Sequence, residues 1–112
     1  MSLVTNFHVV PSSSPLNLSV LTSGPTSLNV SWKRPEEINI NGILTTYTIE
    51  YFPTDQINMA HDFLNVSYFT LSAALTDLNN FTNYTVSVSA NTVVGRGPTV
   101  VTDERTDENG KV

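Results

Sequence analysis

A tyrosine that begins a regularly alternating segment late in the chain constrains the fold more than any other feature of the sequence. Tyr84 opens the run 84–90, in which apolar and polar residues alternate, and Leu78 precedes it by six residues. Such alternation predicts a strand with one buried face. A buried tyrosine needs a partner for its hydroxyl, so we expect the backbone a few residues upstream to bind Tyr84. The segment therefore predicts a late strand that follows a short corner.

Three earlier segments alternate in the same way. Their apolar residues are Leu16, Leu18 and Val20, then Leu28, Val30 and Trp32, then Tyr47, Ile49 and Tyr51. Leu44 is out of phase with the third set, which predicts a β-bulge near residues 45–46. No helical period of useful length is present. Several short strands at this spacing indicate an all-β sandwich or barrel, and the pattern alone does not separate the two.

The remaining segments have weaker patterns. Residues 53–65 predict a short edge strand, near either 57–59 or 63–64. Residues 68–75 predict a strand and residues 99–106 predict the last one. The inward face of the strand over 68–75 would consist of Phe69, Leu71, Ala73 and Leu75.

The chain resembles the fibronectin type III domain. The resemblance rests on Trp32, on the third-strand pattern, on the corner pair Leu78 and Tyr84, and on residues 95–98 after the sixth strand. It implies an immunoglobulin-like β-sandwich of seven antiparallel strands in two sheets, which the pattern alone leaves open. It also implies a structural core that includes Trp32, Tyr47, Ile49, Leu78, Tyr84, Val86 and Val88.

The domain predicted from this resemblance spans residues 15–106. Residues 1–14 are predicted to be an N-terminal segment and linker, because 11–15 are rich in proline and serine. The first ten residues are either the tail of a preceding domain or a loosely packed terminus. Residues 107–112 are predicted to be a frayed tail. We expect the chain to be one piece of a longer protein.

Composition excludes several classes of partner. The net charge is −5 and the five basic residues are scattered, so no patch for nucleic acid is expected. The sequence has no cysteine, which excludes a disulfide framework or a thiolate metal site. No apolar run approaches the ~20 residues that span a bilayer, so no direct membrane contact is expected. We expect the isolated domain to be monomeric.

No set of side chains predicts catalysis, a cofactor or a metal site, so we expect no enzyme activity from this fragment. The lone histidines His8 and His61 are predicted to be solvated. The acidic residues of 103–108 lack the spacing of a calcium loop. Arg96 precedes glycine and proline rather than glycine and aspartate, which excludes the integrin motif found in some relatives. Arg96 is either an interface contact or an ordinary exposed arginine.

Five Asn-X-Ser/Thr sequons predict N-glycosylation. They begin at Asn17, Asn29, Asn65, Asn80 and Asn83. About three would arise by chance at this composition, so five is a modest excess. Asn17 and Asn29 are predicted to face outward on strands, where a glycan is tolerated. Asn80 and Asn83 are so close that a glycan on one can exclude a glycan on the other. The sequons predict an extracellular glycoprotein, and the resemblance implies that it lies on the extracellular side of the plasma membrane in a single-pass parent chain, or is secreted.

The function expected from the resemblance is that of a non-catalytic extracellular module. It would act as a spacer and protein-interaction unit, repeated in the ectodomain of a receptor or adhesion protein, with neighbouring fibronectin type III modules and an unknown protein ligand as partners. A receptor-type tyrosine phosphatase is one candidate parent. The alternatives are an extracellular-matrix structural module, an intracellular scaffold, or an accessory module of a secreted enzyme. The loops 36–42 and 92–98 are the expected contact surfaces.

Overall fold

The computed structural model describes residues 9–108, and within them the chain forms seven strands and two short 3₁₀ turns. The predictions for His8 and for residues 109–112 lie outside the described residues. The strands are β1 (Leu16–Gly24), β2 (Ser27–Lys33), β3 (Leu44–Pro53), β4 (Asp62–Ser67), β5 (Ser72–Leu75), β6 (Asn83–Thr92) and β7 (Arg96–Arg105). The 3₁₀ turns are Glu37–Asn39 and Thr54–Gln56.

The strands form two antiparallel sheets. One has three strands in the order β1-β2-β5, and the other has four in the order β4-β3-β6-β7. The all-β sandwich of seven antiparallel strands is therefore confirmed. β2, β4 and β6 run towards one end of the molecule, and β3, β5 and β7 run away from it. This alternation brings loops that are distant in sequence together at each end.

The core lies between the inner faces of the two sheets. The Trp32 ring, on β2, meets the Tyr47 ring, on β3, edge to face, with 5.4 Å between centroids. Such aromatic pairs add stability beyond the area they bury. The residues predicted for the core are all buried in the structure: Trp32, Tyr47, Ile49, Leu78, Tyr84, Val86 and Val88.

The corner before β6 has the predicted arrangement. The backbone N–H of Asn79 donates to the Tyr84 hydroxyl at 2.7 Å, and Leu78 is buried beside the core. The hydroxyl of a buried tyrosine is thus satisfied by the backbone five residues upstream. The corner fixes the direction from which the chain enters β6.

The bulge predicted in β3 is confirmed. Leu44 pairs with Thr92 and Thr46 pairs with Asn91, so one residue of β3 is extra relative to β6. This shift lets Leu44 be buried although its parity differs from that of Tyr47. A comparable irregularity in β1 was not predicted. There Asn17 has a left-handed φ of 54°, and Leu16 is exposed rather than sharing the inner face of β1.

Two predictions about the middle of the chain are each only partly correct. Of the two edge-strand positions, 63–64 is correct, since β4 includes it, whereas 57–59 lies outside any strand. The strand predicted over 68–75 begins only at Ser72. Because β4 and β5 belong to different sheets, residues 68–71 cross between them, and Phe69 is 75% exposed.

The last strand begins earlier than predicted. β7 starts at Arg96, so residues 96–98 lie in the strand rather than in the loop before it. Arg96 pairs with Asn91 across a register shift between β6 and β7. The connecting loop is therefore only residues 93–95, a short turn that needs few residues because the two strands are antiparallel neighbours.

Candidate interaction surfaces

Three loops and the incoming chain share one end of the sandwich, which we call the loop end (residues 34–43, 68–71 and 93–95). Several large apolar side chains there are exposed to solvent. They are Ile38, Ile43, Tyr68, Phe69, Leu71, Val93 and Val94. A concentration of exposed apolar side chains on a soluble domain is a common mark of an interaction site. The two loops predicted as contact surfaces both lie at this end.

The incoming segment is bound to the loop end. The N–H of Ser12 donates to the Asn39 carbonyl at 2.8 Å, and the Thr92 hydroxyl donates to the Val9 carbonyl at 3.0 Å. Pro11 is buried, and a Cβ placed on Gly97 would lie 2.8 Å from the Pro11 Cβ. Residues 9–12 therefore pack closely against the sandwich, and glycine at position 97 makes that approach possible.

The outgoing segment is bound at the opposite end, which we call the exit end (residues 24–27, 76–82 and 106–108). Thr106 is 2% exposed. Its hydroxyl donates to the Asn79 carbonyl at 2.7 Å and accepts the N–H of Thr82 at 3.0 Å. The next residue, Asp107, donates its N–H to the Gly24 carbonyl at 3.1 Å. The chain is therefore held by the sandwich as far as Asp107, where a frayed tail was expected to begin.

Arg96 is bound within the molecule rather than free in a loop. Its Nε donates to the Ser89 Oγ at 2.8 Å, and a terminal nitrogen donates to the Glu50 Oε1 at 3.2 Å. The other carboxylate oxygen of Glu50 lies 2.6 Å from the His61 Nδ1. We call these four residues the Glu50 network. It joins β3, β6, β7 and the segment before β4 on the outer face of the four-stranded sheet.

His61 is the residue whose predicted environment was wrong. Its side chain is only 20% exposed, and its ring stacks on Phe52 with 3.8 Å between centroids. Both ring nitrogens face acceptors, because Nε2 lies 2.9 Å from the Ile57 carbonyl while Nδ1 faces Glu50. Only the doubly protonated ring can donate to both. The sequence carries no local signal for this pair, because the contact depends on the β3–β4 register, in which Glu50 pairs with Phe63.

The ionisation of the pair follows from these contacts. The hydrogen bond that His61 donates to Glu50 raises the pKa of His61 above its ordinary value, the bond to the Ile57 carbonyl adds to the effect, and partial burial opposes it. The hydrogen bond from His61 lowers the pKa of Glu50, and Arg96 lowers it further against the opposing effect of burial. Each partner therefore favours the charged form of the other.

The five sequon asparagines lie on the surface. Asn17, Asn29, Asn65, Asn80 and Asn83 are all exposed. Asn65 also accepts a hydrogen bond from the Thr48 hydroxyl at 2.6 Å through its amide oxygen. A glycan attaches to the amide nitrogen, so this bond leaves the atom that would be modified available.

Residues 9–108 contain no cluster of metal-binding side chains and no membrane-spanning helix. No group of three or more histidine, cysteine or acidic side chains is placed to hold a metal ion in this range. None of its helical segments is long and apolar enough to cross a bilayer.

Comparison with known proteins gives one consistent family. A family model for the fibronectin type III domain matches residues 13–102. The chain is similar to receptor-type tyrosine-protein phosphatase F of Mus musculus, at 35% identity over 89 residues, which cover 79% of this chain and 5% of that protein. It is also similar to the cell adhesion molecule DSCAM of Homo sapiens, at 28% identity over 95 residues, which cover 85% of this chain and 5% of that protein.

The fold is also shared with solved structures. The third fibronectin III domain of the human KIAA0343 protein superposes with a TM-score of 0.81 at 23% identity, over 93% of this chain and 89% of that one. The chain spans only 4–5% of the length of the curated relatives that it matches.

Proposed function

We propose that this chain, which belongs to the fibronectin type III family, is a non-catalytic extracellular module that spaces and connects domains in the ectodomain of a cell-surface receptor or adhesion protein. Fibronectin type III domains are generally non-catalytic, and relatives of this one include a receptor phosphatase and an adhesion molecule. The parent class that we favour is the receptor-type tyrosine phosphatase. Any phosphatase activity would belong to another domain of such a parent.

The observation that carries this proposal is that residues 9–12, which lead into the sandwich, and residues 106–107, which leave it, are bound at opposite ends. The incoming segment is hydrogen-bonded at the loop end through Ser12 and Val9. The outgoing segment is hydrogen-bonded at the exit end through Thr106 and Asp107. A module whose two connecting segments are fixed at opposite ends sets the relative orientation of its two neighbours. A spacer in an array requires such a fixed orientation.

The loop end is the surface that we propose for protein contacts. Its apolar side chains, including Ile38 and Phe69, are exposed, and the incoming chain is hydrogen-bonded to Asn39 at the same end. A preceding module would therefore be positioned against this surface. We propose Arg96 as a polar contact at its margin, because its side chain is partly exposed and the Glu50 network fixes its orientation.

The extracellular location that we propose is supported by the exposure of all five sequon asparagines. The chain, carrying a secretion signal, would be expressed in mammalian cells, and its intact mass would be compared before and after enzymatic deglycosylation. We expect secreted, folded protein whose mass falls on treatment. Protein that is retained, or secreted without any glycan, would contradict the extracellular assignment.

A connecting role has its own test in the parent ectodomain. Ile38→Ser and Phe69→Ser would alter the loop end, and Leu21→Ser would alter an exposed apolar residue of β1 as the matched control. We expect only the loop-end variants to increase the flexibility between this module and the preceding one, measured by small-angle scattering of the two-module unit. Equal behaviour of all three variants would contradict the proposed contact surface.

A further inference from the structure

Phe81, at the exit end, combines an unusual backbone with an exposed aromatic ring. Its φ is 48° and half of its surface is exposed to solvent. Bulky residues rarely adopt the left-handed region, and such strain persists only where surrounding structure enforces it. Here the Phe81 N–H donates to the Asp107 carbonyl at 2.9 Å. The fold therefore holds a strained residue in place with its ring at the surface.

The ring has a fixed position because Arg105 covers part of it. The Arg105 guanidinium carbon lies 4.4 Å from the centroid of the Phe81 ring. A cation over an aromatic face is attracted by the negative charge of the π system. The guanidinium occupies one face of the ring, and the exposure of half of the residue leaves surface of the ring accessible.

Asn83 adjoins both of these residues. It pairs directly with Arg105 across the β6–β7 ladder, and paired residues project from the same face with Cβ atoms about 5 Å apart. Two depressions, of about 410 and 350 Å³, each include Phe81, Asn83 and Arg105 in their walls. Asn83 and Phe81 therefore line the same open, polar-walled space, with Arg105 between β7 and the Phe81 ring.

We propose that Asn83 carries an N-linked glycan whose first N-acetylglucosamine packs on the face of Phe81 that Arg105 leaves open. The inference rests on the proposed extracellular function and on the sequon formed by Asn83, Tyr84 and Thr85. One side of this sugar presents C–H groups with partial positive charge, which the negative face of an aromatic ring attracts. The strained, exposed phenylalanine is then explained as a platform for the sugar.

The modification uses a lipid-linked oligosaccharide pyrophosphate as donor. A bond forms between the Asn83 Nδ2 and the anomeric carbon of the sugar, and the bond from that carbon to the pyrophosphate oxygen breaks. The lipid pyrophosphate leaves with the electron pair, and the proton lost by Nδ2 passes to a base of the transferring enzyme. The remaining N–H and the amide oxygen of Asn83 are retained.

The other sequons provide internal comparisons. The residue two positions before the asparagine is Ser27 for Asn29, which therefore lacks a platform and is the matched control. Phe63 precedes Asn65 at the same spacing on the regular strand β4 and is 55% exposed. Asn65 is thus a second position at which a sugar could contact an aromatic ring, without the left-handed backbone seen at Phe81.

The experiment uses the secreted chain after trimming every glycan to a single N-acetylglucosamine. Site occupancy is read by peptide mass spectrometry, and contact is read by NMR from the ring-current shift of the sugar protons. We expect Asn83 to be occupied, with sugar protons shifted upfield. Phe81→Ala should abolish the shift and Phe81→Tyr should retain it, while the sugar on Asn29 should be unaffected.

A double-mutant cycle, in which the melting temperature (Tm) is measured, gives an independent readout. The Tm difference between the wild type and Asn83→Gln is compared with the same difference in the Phe81→Ala background. We expect the sugar to raise the Tm by several degrees only when Phe81 is present, with Asn29→Gln unchanged between backgrounds. Equal Tm differences, or an occupied Asn83 without shifted protons, would overturn the packing.

The two proposals fail in distinguishable ways. If other sequons are occupied and Asn83 is not, the glycan at Asn83 is excluded while the extracellular function stands. If the chain is not secreted and no sequon is occupied, the proposed extracellular function and this inference fail together.

Discussion

The exit end and the loop end of this sandwich bind the chain by different means. At the exit end, buried side chains bond to the backbone: the Tyr84 hydroxyl accepts from Asn79 and the Thr106 hydroxyl bonds to two residues of the corner. At the loop end, backbone groups of residues 9–12 bond to the loop 34–43 and to the Thr92 hydroxyl, and apolar side chains of the surrounding loops remain exposed. The exit end thus satisfies these buried polar groups internally and exposes the ring of Phe81, whereas the loop end exposes a concentration of apolar side chains for another molecule to bury.

Because of this difference, we expect residues of the exit end to determine the stability of the domain and residues of the loop end to determine its interactions. Side chains that are both buried and hydrogen-bonded contribute to folding, and their loss leaves unsatisfied groups. Exposed apolar side chains contribute little to folding of the isolated domain and become important only when a partner covers them. Substitutions at the two ends should therefore differ first in stability and only afterwards in binding.

The largest expected effect is loss of the corner tyrosine. Tyr84→Ala should destabilise the domain by ~3–5 kcal/mol, because a buried aromatic ring and its hydrogen bond are both removed. Phe69→Ala, at the loop end, should change stability by no more than about 0.5 kcal/mol. Urea or guanidinium unfolding measures both. Similar losses for the two variants would remove the contrast between the ends.

The second prediction concerns the buried threonine of the outgoing segment. Thr106→Val keeps the shape of the side chain but removes the hydroxyl, which leaves the Thr82 N–H and the Asn79 carbonyl without this partner. We expect a loss of ~1–3 kcal/mol. Thr106→Ser, which keeps the hydroxyl, is the control and should retain most of the stability. A valine variant as stable as the wild type would show that the hydroxyl does not secure the exit end.

The third prediction tests whether the incoming segment is bound at the loop end. Gly97→Ala would place a Cβ 2.8 Å from the Pro11 Cβ, so the segment must move. We expect a loss of about 1 kcal/mol from overpacking and faster hydrogen exchange of the Ser12 amide. Pro11→Gly removes the opposing ring, so Gly97→Ala should reduce the stability of the domain less in the Pro11→Gly background than in the wild type. Unchanged exchange in Gly97→Ala would contradict close packing.

Sequence patterns predicted the fold where a strand has one face in the core. Val86 and Val88 on β6 alternate with small polar residues, and the corner motif before them fixes their register, so their burial follows from local pattern. The alternation of apolar and polar residues gave a wrong strand boundary where the chain leaves one sheet for the other. Phe69 continues the alternation of the residues after it, yet it lies in the crossover between sheets, because pairing and not residue type decides where a strand begins.

The candidate surfaces were less predictable for a related reason. Asn80 and Asn83 are recognised as sequons from three consecutive residues, but the contact of Arg105 with Phe81 depends on the β6–β7 register. The pairing of His61 with Glu50 likewise depends on how β4 meets β3, which a polar and irregular segment does not specify. Contacts between distant segments require the assembled fold.

The smallest expected effect is the pH dependence of the Glu50 network, which lies on the outer face of the four-stranded sheet and belongs to neither end. His61 has a raised pKa in the folded state, so its contribution to stability is complete below its ordinary value of 6.5 and is lost as the pH rises through the raised pKa. Glu50 has a lowered pKa, so its contribution is present above its ordinary value of 4.5 and is lost as the pH falls through the lowered pKa. Both contributions are therefore complete between pH 4.5 and 6.5.

The variant His61→Gln isolates this effect. We expect the Tm of the wild type to exceed that of the variant most between pH 4.5 and 6.5, and the difference to shrink on either side of that window. Scanning calorimetry across pH 3–9 measures it, with the Tyr84→Phe variant as a control because its lost hydrogen bond does not involve either titrating group. A His61→Gln difference that is constant with pH would show that the ion pair contributes nothing. Added salt should reduce the maximum, since both side chains retain some exposure to solvent and the pair is screened.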